Sequence, residues 1–327
     1  MRILNREEVR GALPMREAIP IVKDAFVQLS AGQANVPLRT AIRPAWHDGV
    51  ALIMPGYLSG SDALAVKVVS VFPGNRAMRQ PTIHALLLLL NAATGEVLAT
   101  MEGGGLTALR TGAASGVATD LLAREDARIA AIFGAGAQAR TQLLAVCVVR
   151  AIRRAWIYAP NPERVQDFIA ELTPQLGATE LLAAHSPAQA VRDADVICAA
   201  TTSHSPVFDG TQLKPGVHIN AVGAFTPEMQ EVDFVTLQRA ARIVVDARES
   251  ALAEAGELLM ALAQGAIHHT DIHAEIGEIA AGLKQGRAHP DEITYFKTVG
   301  NAALDVAVAQ AVYQKALQYK LGIEISL

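Results

Sequence analysis

Residues Arg128–Val148 read RIAAIFGAGAQARTQLLAVCV. Ile129–Phe133 is a short, wholly apolar run, as a strand buried on both faces shows. Gly134-Ala-Gly136-Ala-Gln-Ala139 follows at once, and from Arg140 the pattern turns helical. A G-x-G-x-x-A match is weak alone, but between a strand and a helix it is a dinucleotide fingerprint. Gly134 permits the tight turn, and Gly136 lacks the Cβ that would keep the backbone from a pyrophosphate. Ala139 lets the helix pack closely on the strand. The helix N-terminus, with Ala137 and Gln138 in its first turn, presents free N–H groups to the phosphates. A tight turn with no ligand is the alternative.

Outward from this stretch, strands and helices alternate. Ile129–Phe133, Ala155–Tyr158, Leu181–Ala183, Val196–Ala200, His218–Val222 and Ile243–Val245 read as strands, with helices filling most of the gaps. That grammar predicts a doubly wound parallel sheet. The chain before residue 106 reads differently. Helical spacing over Asn5–Ser30 is followed by strand patterns at Thr40–Pro44, Val50–Met54, Ala63–Phe72, His84–Leu90 and Val97–Met101. Turn signals at His47-Asp-Gly49 and Asn91–Gly95 join the strands as hairpins, which predicts an antiparallel sheet. Leu106–Arg124 is a small-residue helix leading onward, and Asn301–Tyr319 is a long terminal helix that returns to the first region. The expectation is an α/β protein. A Rossmann domain over 121–300 accompanies a discontinuous α+β substrate and dimerisation domain, 1–120 completed by 301–327.

The 327 residues are 51% hydrophobic and 18% charged, enough for two cores. The net charge of −4, with both signs interspersed, gives no basic stripe for nucleic acid or a membrane surface. Leu86–Leu90 is too short to span a bilayer, and MRILNREEVR lacks the apolar core of a signal peptide. A cytoplasmic enzyme is expected. Cys147 and Cys198 read as small buried hydrophobes. His268, His269 and His273 lie close together without a second ligand group, so no metal site is expected.

The second strand of a dinucleotide fold ends at the residue that reads the adenosine ribose, where an acid favours NAD. Here Ala155–Tyr158 runs into Ala159-Pro-Asn161-Pro-Glu163-Arg164. The position near Ala159 carries no acid, while Asn161 and Arg164 suit a 2′-phosphate. Glu163 is counter-evidence, although an acid at a helix start is favoured in any case. NADPH is the expected cofactor, with NADH possible.

These features, with other blocks, resemble the ornithine cyclodeaminase/mu-crystallin family over essentially the full length. The blocks are Val36-Pro-Leu-Arg39, Met54-Pro-Gly-Tyr57, Lys67-Val, Pro81-Thr82, Leu109-Arg110-Thr-Gly, the GAGAQA loop, Ala200-Thr-Thr-Ser203, Ile219-Asn-Ala-Val-Gly223 and Phe296-Lys-Thr-Val-Gly300. The resemblance implies a homodimer of two-domain subunits with substrate held between the N-terminal domain and the nicotinamide. It implies that Arg39, Lys67 and Arg110 hold the substrate carboxylate, with Lys67 and Arg110 catalytic and Met54 and Phe225 beside the substrate. It also implies that Thr82, Arg110, Thr201, Val222, Gly223 and Thr298 join the glycine loop in holding the cofactor.

The chemistry of the basic residues agrees. Arginine grips a carboxylate bidentately, and Lys67 in AVKVV and Arg110 in a small-residue helix are odd places for an unpartnered charge. An outward-facing strand residue is the alternative for Lys67. A surface loop is the alternative for Arg39, with Arg43 nearby as a competitor. The informative departure is Phe225. The cyclodeaminases carry an aspartate two residues after the glycine of the Val-Gly block, and a phenyl ring cannot shuttle a proton. Reduction of a cyclic ketimine carboxylate, giving L-proline or L-pipecolate, is therefore expected over ornithine cyclisation. An alanine-type amino-acid dehydrogenase and a non-enzymatic NADPH-binding protein are the alternatives.

Overall fold

The computed structural model describes residues 1–326, all but the side chain of Arg76; Leu327, the end of the segment expected to complete the first domain, lies outside the described residues. The chain divides into two compact units, Met1–Arg110 with Asn301–Leu327, and Thr111–Gly300. Sequence places the first boundary at residue 120, and the structure places it at Arg110. The difference arises because α3 is one unbroken helix of small residues with no stop signal at which composition changes.

In chain order the first stretch forms β1 (Arg2–Leu4), α1 (Arg6–Ala12), α2 (Met15–Ser30), β2 (Ala34–Asn35), β3 (Thr40–Ile42), β4 (Val50–Leu58), β5 (Ala63–Val71), β6 (Ile83–Asn91), β7 (Val97–Glu102) and α3 (Gly103–Leu122). The second unit supplies β8 (Ile129–Phe133), α4 (Ala137–Val149), β9 (Arg154–Tyr158), α5 (Pro162–Leu172), β10 (Glu180–Ala183), α6 (Pro187–Val191), β11 (Val196–Ala199), β12 (His218–Ala221), α7 (Phe234–Arg239), β13 (Ala240–Val245), α8 (Arg248–Glu254), α9 (Gly256–Ala263), β14 (Ile272–Glu275), α10 (Ile276–Ala280) and β15 (Ile293–Lys297). Then α11 (Ala302–Tyr319) and β16 (Ile323–Glu324) complete the first unit.

The sheet of the first unit runs β16-β1-β7-β6-β5-β4-β2, with β3 paired to β4. Its hairpins are antiparallel, as their turns predict, but β1 lies parallel to β7. Alternation splits the central strands into two faces. Met54, Lys67, Leu87 and Met101 stand opposite one another on β4 to β7 and are buried. That face packs on α11, which also meets α2. Gly56 on β4 lets the helix approach: a Cβ there would lie 2.9 Å from Val306 Cγ2. The opposite face is apolar too. Ile53, Val68 and Leu86 pair across it, as do Pro55, Val66 and Leu88, and Val68 and Leu86 are 40% and 45% exposed. An antiparallel sheet bounded by water is ordinarily polar on that side.

The sheet of the second unit runs β10-β9-β8-β11-β12-β15-β13-β14, parallel throughout. Strand order reverses between β8 and β11, and ligands of such sheets bind beyond the carboxyl ends of the strands at that point. Two apolar cores lie on its faces, one around Phe133, Ile197 and Tyr295 and the other around Leu143, Phe168 and Val196. β14 and β15 are absent from the strands read in sequence. β15 hides because ITYFK ends on a lysine; Lys297 is wholly buried, with Nζ donating to Glu257 Oε1 at 2.7 Å.

Candidate active site and dinucleotide loop

Each unit carries its own part of the chemistry. In the second, Gly134 follows β8 with φ +108°, a backbone region that L side chains avoid. A Cβ there would sit 2.6 Å from Ala200 O at the end of β11. Gly136 is the N-cap of α4 and contributes no side-chain cap, so the first-turn N–H groups are left for a ligand. A Cβ on Gly136 would meet nothing within 4 Å. Arg140 braces the loop, its guanidinium donating to Ala135 O at 3.0 Å and pairing with Glu171 at 2.7 Å. A tight turn, an uncapped helix start and open space beside Gly136 fit a pyrophosphate.

The β9–α5 turn carries the expected ribose readers. Asn161 caps α5, its side-chain oxygen accepting from Arg164 N at 3.2 Å. The amide nitrogen of Asn161 is left out of that cap, and the Arg164 side chain is exposed. No acid stands at Ala159, and Glu163 lies in the first turn of α5.

Two residues expected at the cofactor, Thr201 and Thr298, make side-chain hydrogen bonds within the protein. The Thr201 hydroxyl and backbone N–H both donate to Glu231 Oε1, at 2.8 and 2.6 Å. The Thr298 hydroxyl donates to Asp246 Oδ2 at 2.6 Å and is buried. These bonds tie both side chains to the loops they sit on. Glu231, buried and unmarked in sequence, also accepts from the N–H groups of Gly223 and Ala224, at 2.6 and 3.0 Å. Burial raises its pKa despite these bonds. Asp246 accepts in addition from the N–H groups of Val299 and Gly300. Val222 is buried beside Gly223, and Phe225 packs partly buried against the core around Tyr295.

In the first unit, Lys67 and Arg110 are buried at 2% and 5% exposure and share one carboxylate. Lys67 Nζ donates to Asp305 Oδ2 at 2.5 Å, and Arg110 Nε donates to Asp305 Oδ1 at 3.0 Å. The outward-facing alternative for Lys67 falls: β5 turns its odd-numbered residues toward α11. Burial pulls the Lys67 ammonium down to about 8, Asp305 opposes it, and Arg110 and Arg39 add to the depression. Burial pushes the Asp305 carboxyl up, but Arg110 and Lys67 outweigh it and hold it below its ordinary value. Arg39 is half-buried and close enough to act on Lys67, whereas Arg43 is exposed. Met54 stands directly across from Lys67. Thr82, also in this unit, sits in the bend before β6, its carbonyl accepting from Phe72 N at 2.8 Å.

A family model described as the ornithine cyclodeaminase/mu-crystallin family matches residues 1–320. The chain belongs to that family. A curated relative, a Δ1-pyrroline-2-carboxylate reductase of Bacillus cereus, is 39% identical over 325 residues, 99% of each chain. The solved Thermococcus litoralis Δ1-pyrroline-2-carboxylate reductase, in complex with NADH and L-proline, is 44% identical. It superposes with a TM-score of 0.95 over 99% of this chain and 100% of its own. An archaeal alanine dehydrogenase dimer with bound NAD is 36% identical, with a TM-score of 0.92 over 100% of this chain and 99% of its own.

Within this member of the ornithine cyclodeaminase/mu-crystallin family, sequence reasoning missed Asp305, Glu231, Asp246 and Glu257. Asp305 left one trace, a lone acid in the apolar run AALDVAVAQAV. Among the described residues no cluster of three or more His, Cys, Asp or Glu residues has metal-binding geometry. No described helix is long and apolar enough to cross a membrane. Burial pushes the Cys147 and Cys198 thiols up to about 11 and about 12, which disfavours the thiolate form.

Proposed function

We propose that this protein is an NAD(P)H-dependent reductase of cyclic ketimine carboxylates, acting on Δ1-pyrroline-2-carboxylate and Δ1-piperideine-2-carboxylate to give L-proline and L-pipecolate. The observation that carries the reading is the charge balance around Asp305. Two buried cations face one carboxylate, and Arg39 adds a third positive charge felt at Lys67. A buried positive excess calls for an anion. The Arg110–Asp305 bond uses Nε and leaves the two terminal nitrogens of the guanidinium out of it. A substrate carboxylate fits that fork. The names of the full-length relatives support the same reaction.

In this reading Arg39, Lys67 and Arg110 hold the carboxylate, and Met54, directly across from Lys67, lies beside the ring. The dinucleotide, when bound, supplies the hydride that C2 receives. Lys67 delivers a proton to the ring nitrogen as the C=N double bond becomes a single bond, then recovers a proton from water. Phe225 cannot take up or release a proton. A preformed imine needs no other acid at that position, whereas ornithine deamination does. Asn161 and Arg164 favour NADPH; the solved relatives with bound NADH and NAD support the nicotinamide cofactor without that preference. The apolar outer face of the first sheet serves as the homodimer contact, in keeping with the alanine dehydrogenase dimer. The enzyme works in the cytoplasm on a small imino acid, without nucleic acid or membrane.

The test is oxidation of NADPH and NADH with both cyclic ketimines, with pyruvate plus ammonia, and with L-ornithine alone for ammonia release. Turnover of the ketimines, faster with NADPH, is expected. Lys67→Met and Arg110→Met should each lose at least about tenfold in kcat/KM, the worth of one charge-assisted hydrogen bond. Turnover of the 2-oxo acid alone would make the protein an amino-acid dehydrogenase. Cofactor binding with no turnover of any substrate would make it a carrier.

A further inference from the structure

Asp305 lies in the first turn of the terminal helix, 238 residues from Lys67 and 195 from Arg110 in sequence. Its carboxylate is buried, and each oxygen takes a different donor, one from the lysine and one from the arginine. The groups around Lys67 are few. Met54 and Leu87 stand across from it on β4 and β6, so the neighbouring strands bring no charge at that level. α11 brings Asp305, α3 brings Arg110, and the segment before β3 brings Arg39. Asp305 is thus the one carboxylate that Lys67 and Arg110 share.

We propose that Asp305 is the positioning residue of this site: it fixes the Lys67 ammonium and the Arg110 guanidinium side by side as one anion receptor, and its charge keeps Lys67 protonated for delivery to the substrate. This rests on the reductase reading for its consequence in turnover. Two flexible cationic side chains repel each other at close range, and without an anion between them they separate. The carboxylate offsets that repulsion and fixes the directions in which their remaining N–H bonds point. Because it faces two cations, it holds them without cancelling them. A substrate carboxylate arrives at a receptor already ordered, which lowers the entropy cost of productive binding. The lysine also feels burial, Arg110 and Arg39, all of which favour its neutral form, and Asp305 opposes all three.

The experiment compares wild type, Asp305→Asn and Asp305→Glu. The first readout is the pH profile of kcat/KM with Δ1-pyrroline-2-carboxylate. The second is competitive acetylation of Lys67 across pH, read by mass spectrometry without substrate. Loss of an opposite charge at contact distance lowers a lysine pKa by about 1–3 units. Asp305→Asn should therefore shift both the basic limb and the labelling midpoint down by at least about one unit. Asp305→Glu keeps the charge but moves its oxygens, so kcat should fall about tenfold while both midpoints stay within about half a unit of wild type. A merely structural role moves neither midpoint. Unshifted midpoints in folded Asp305→Asn overturn the proposal. Should that variant not fold, a displaced labelling midpoint or unimpaired kcat in Asp305→Glu overturns it instead. Absence of wild-type turnover would defeat the reductase reading, and the labelling midpoints would still judge Asp305 alone.

Discussion

Thr201 and Gly223 follow neighbouring parallel strands, β11 and β12, and their backbone N–H groups point at opposite oxygens of a single buried carboxylate, Glu231, each at 2.6 Å. One acid thus sets the spacing of two loops at the carboxyl edge of the sheet. An amide in its place would aim an NH2 group at two N–H donors. Glu231→Gln should lower stability by about 2–4 kcal/mol, since at least one buried donor pair goes unsatisfied. It should also weaken NADH binding by about tenfold or more. Urea unfolding and fluorescence titration measure the two effects, and wild-type values in both would remove Glu231 from this role.

The glycine loop predicts a separation between two neighbouring positions. Gly136→Val projects into open space, so the melting temperature should hold while dinucleotide affinity drops beyond about tenfold. Gly134→Ala meets Ala200 O and takes a left-handed φ, so it should lower the melting temperature outright. Unchanged affinity in a folded Gly136→Val protein would mean the phosphates bind elsewhere.

The lysine sets a pH dependence whose sign follows from its role. In the proposed mechanism protonated Lys67 both attracts the carboxylate and donates the proton, and it loses its charge as pH rises through about 8. The kcat/KM for ketimine reduction should be flat below that value and fall above it. In the substrate complex the added carboxylate raises the lysine pKa, so the basic limb of kcat should lie at higher pH. A kcat/KM profile flat to about pH 10, the range of an ordinary lysine, would exclude Lys67 as the titrating group.

Phe225→Asp places an acid at the position where the family resemblance puts the aspartate of the cyclodeaminases. Ketimine reduction should decline, and slow ammonia release from L-ornithine should appear in an enzyme-coupled ammonia assay. Substantial release by the wild type would undo the argument from Phe225.

On the outer face of the first sheet, Val68→Asp or Leu86→Asp places a charge in an apolar contact. Either should convert the proposed homodimer to monomers by light scattering after gel filtration. A dimer indifferent to both would have its contact elsewhere.

The parts legible in sequence are those whose signal is local. β8, its glycine turn and α4 are consecutive, and the hairpin β6–β7 announces its own turn at Asn91–Gly95. Lys67 and Arg110 stand out as charges among small or apolar residues, and that oddity points to a partner without naming it. The partner, Asp305, lies in another helix near the chain end, and only the packing of α11 on β5 brings it there. Glu231 and Asp246 escape for the same reason: each works on backbone N–H groups, which leave no mark in the identity of Gly223, Ala224 or Val299. For Thr201 and Thr298 the residue is visible in sequence while the direction of its hydroxyl is not.

The split of the first unit around the second has a consequence for synthesis. Ribosomes add about 5–20 residues per second, and domains fold as units as they emerge. The second unit is continuous in sequence and is complete once Gly300 has emerged. The first unit must wait. Its sheet leaves the ribosome early, carrying Lys67 and Arg110 toward an interior whose counter-charge has not yet been made. The 195 residues between Arg110 and Asp305 amount to about 10–40 seconds of translation during which those two cations have no carboxylate to share. A nascent chain halted before Ala302 would therefore carry a folded nucleotide-binding half and an open, protease-sensitive sheet.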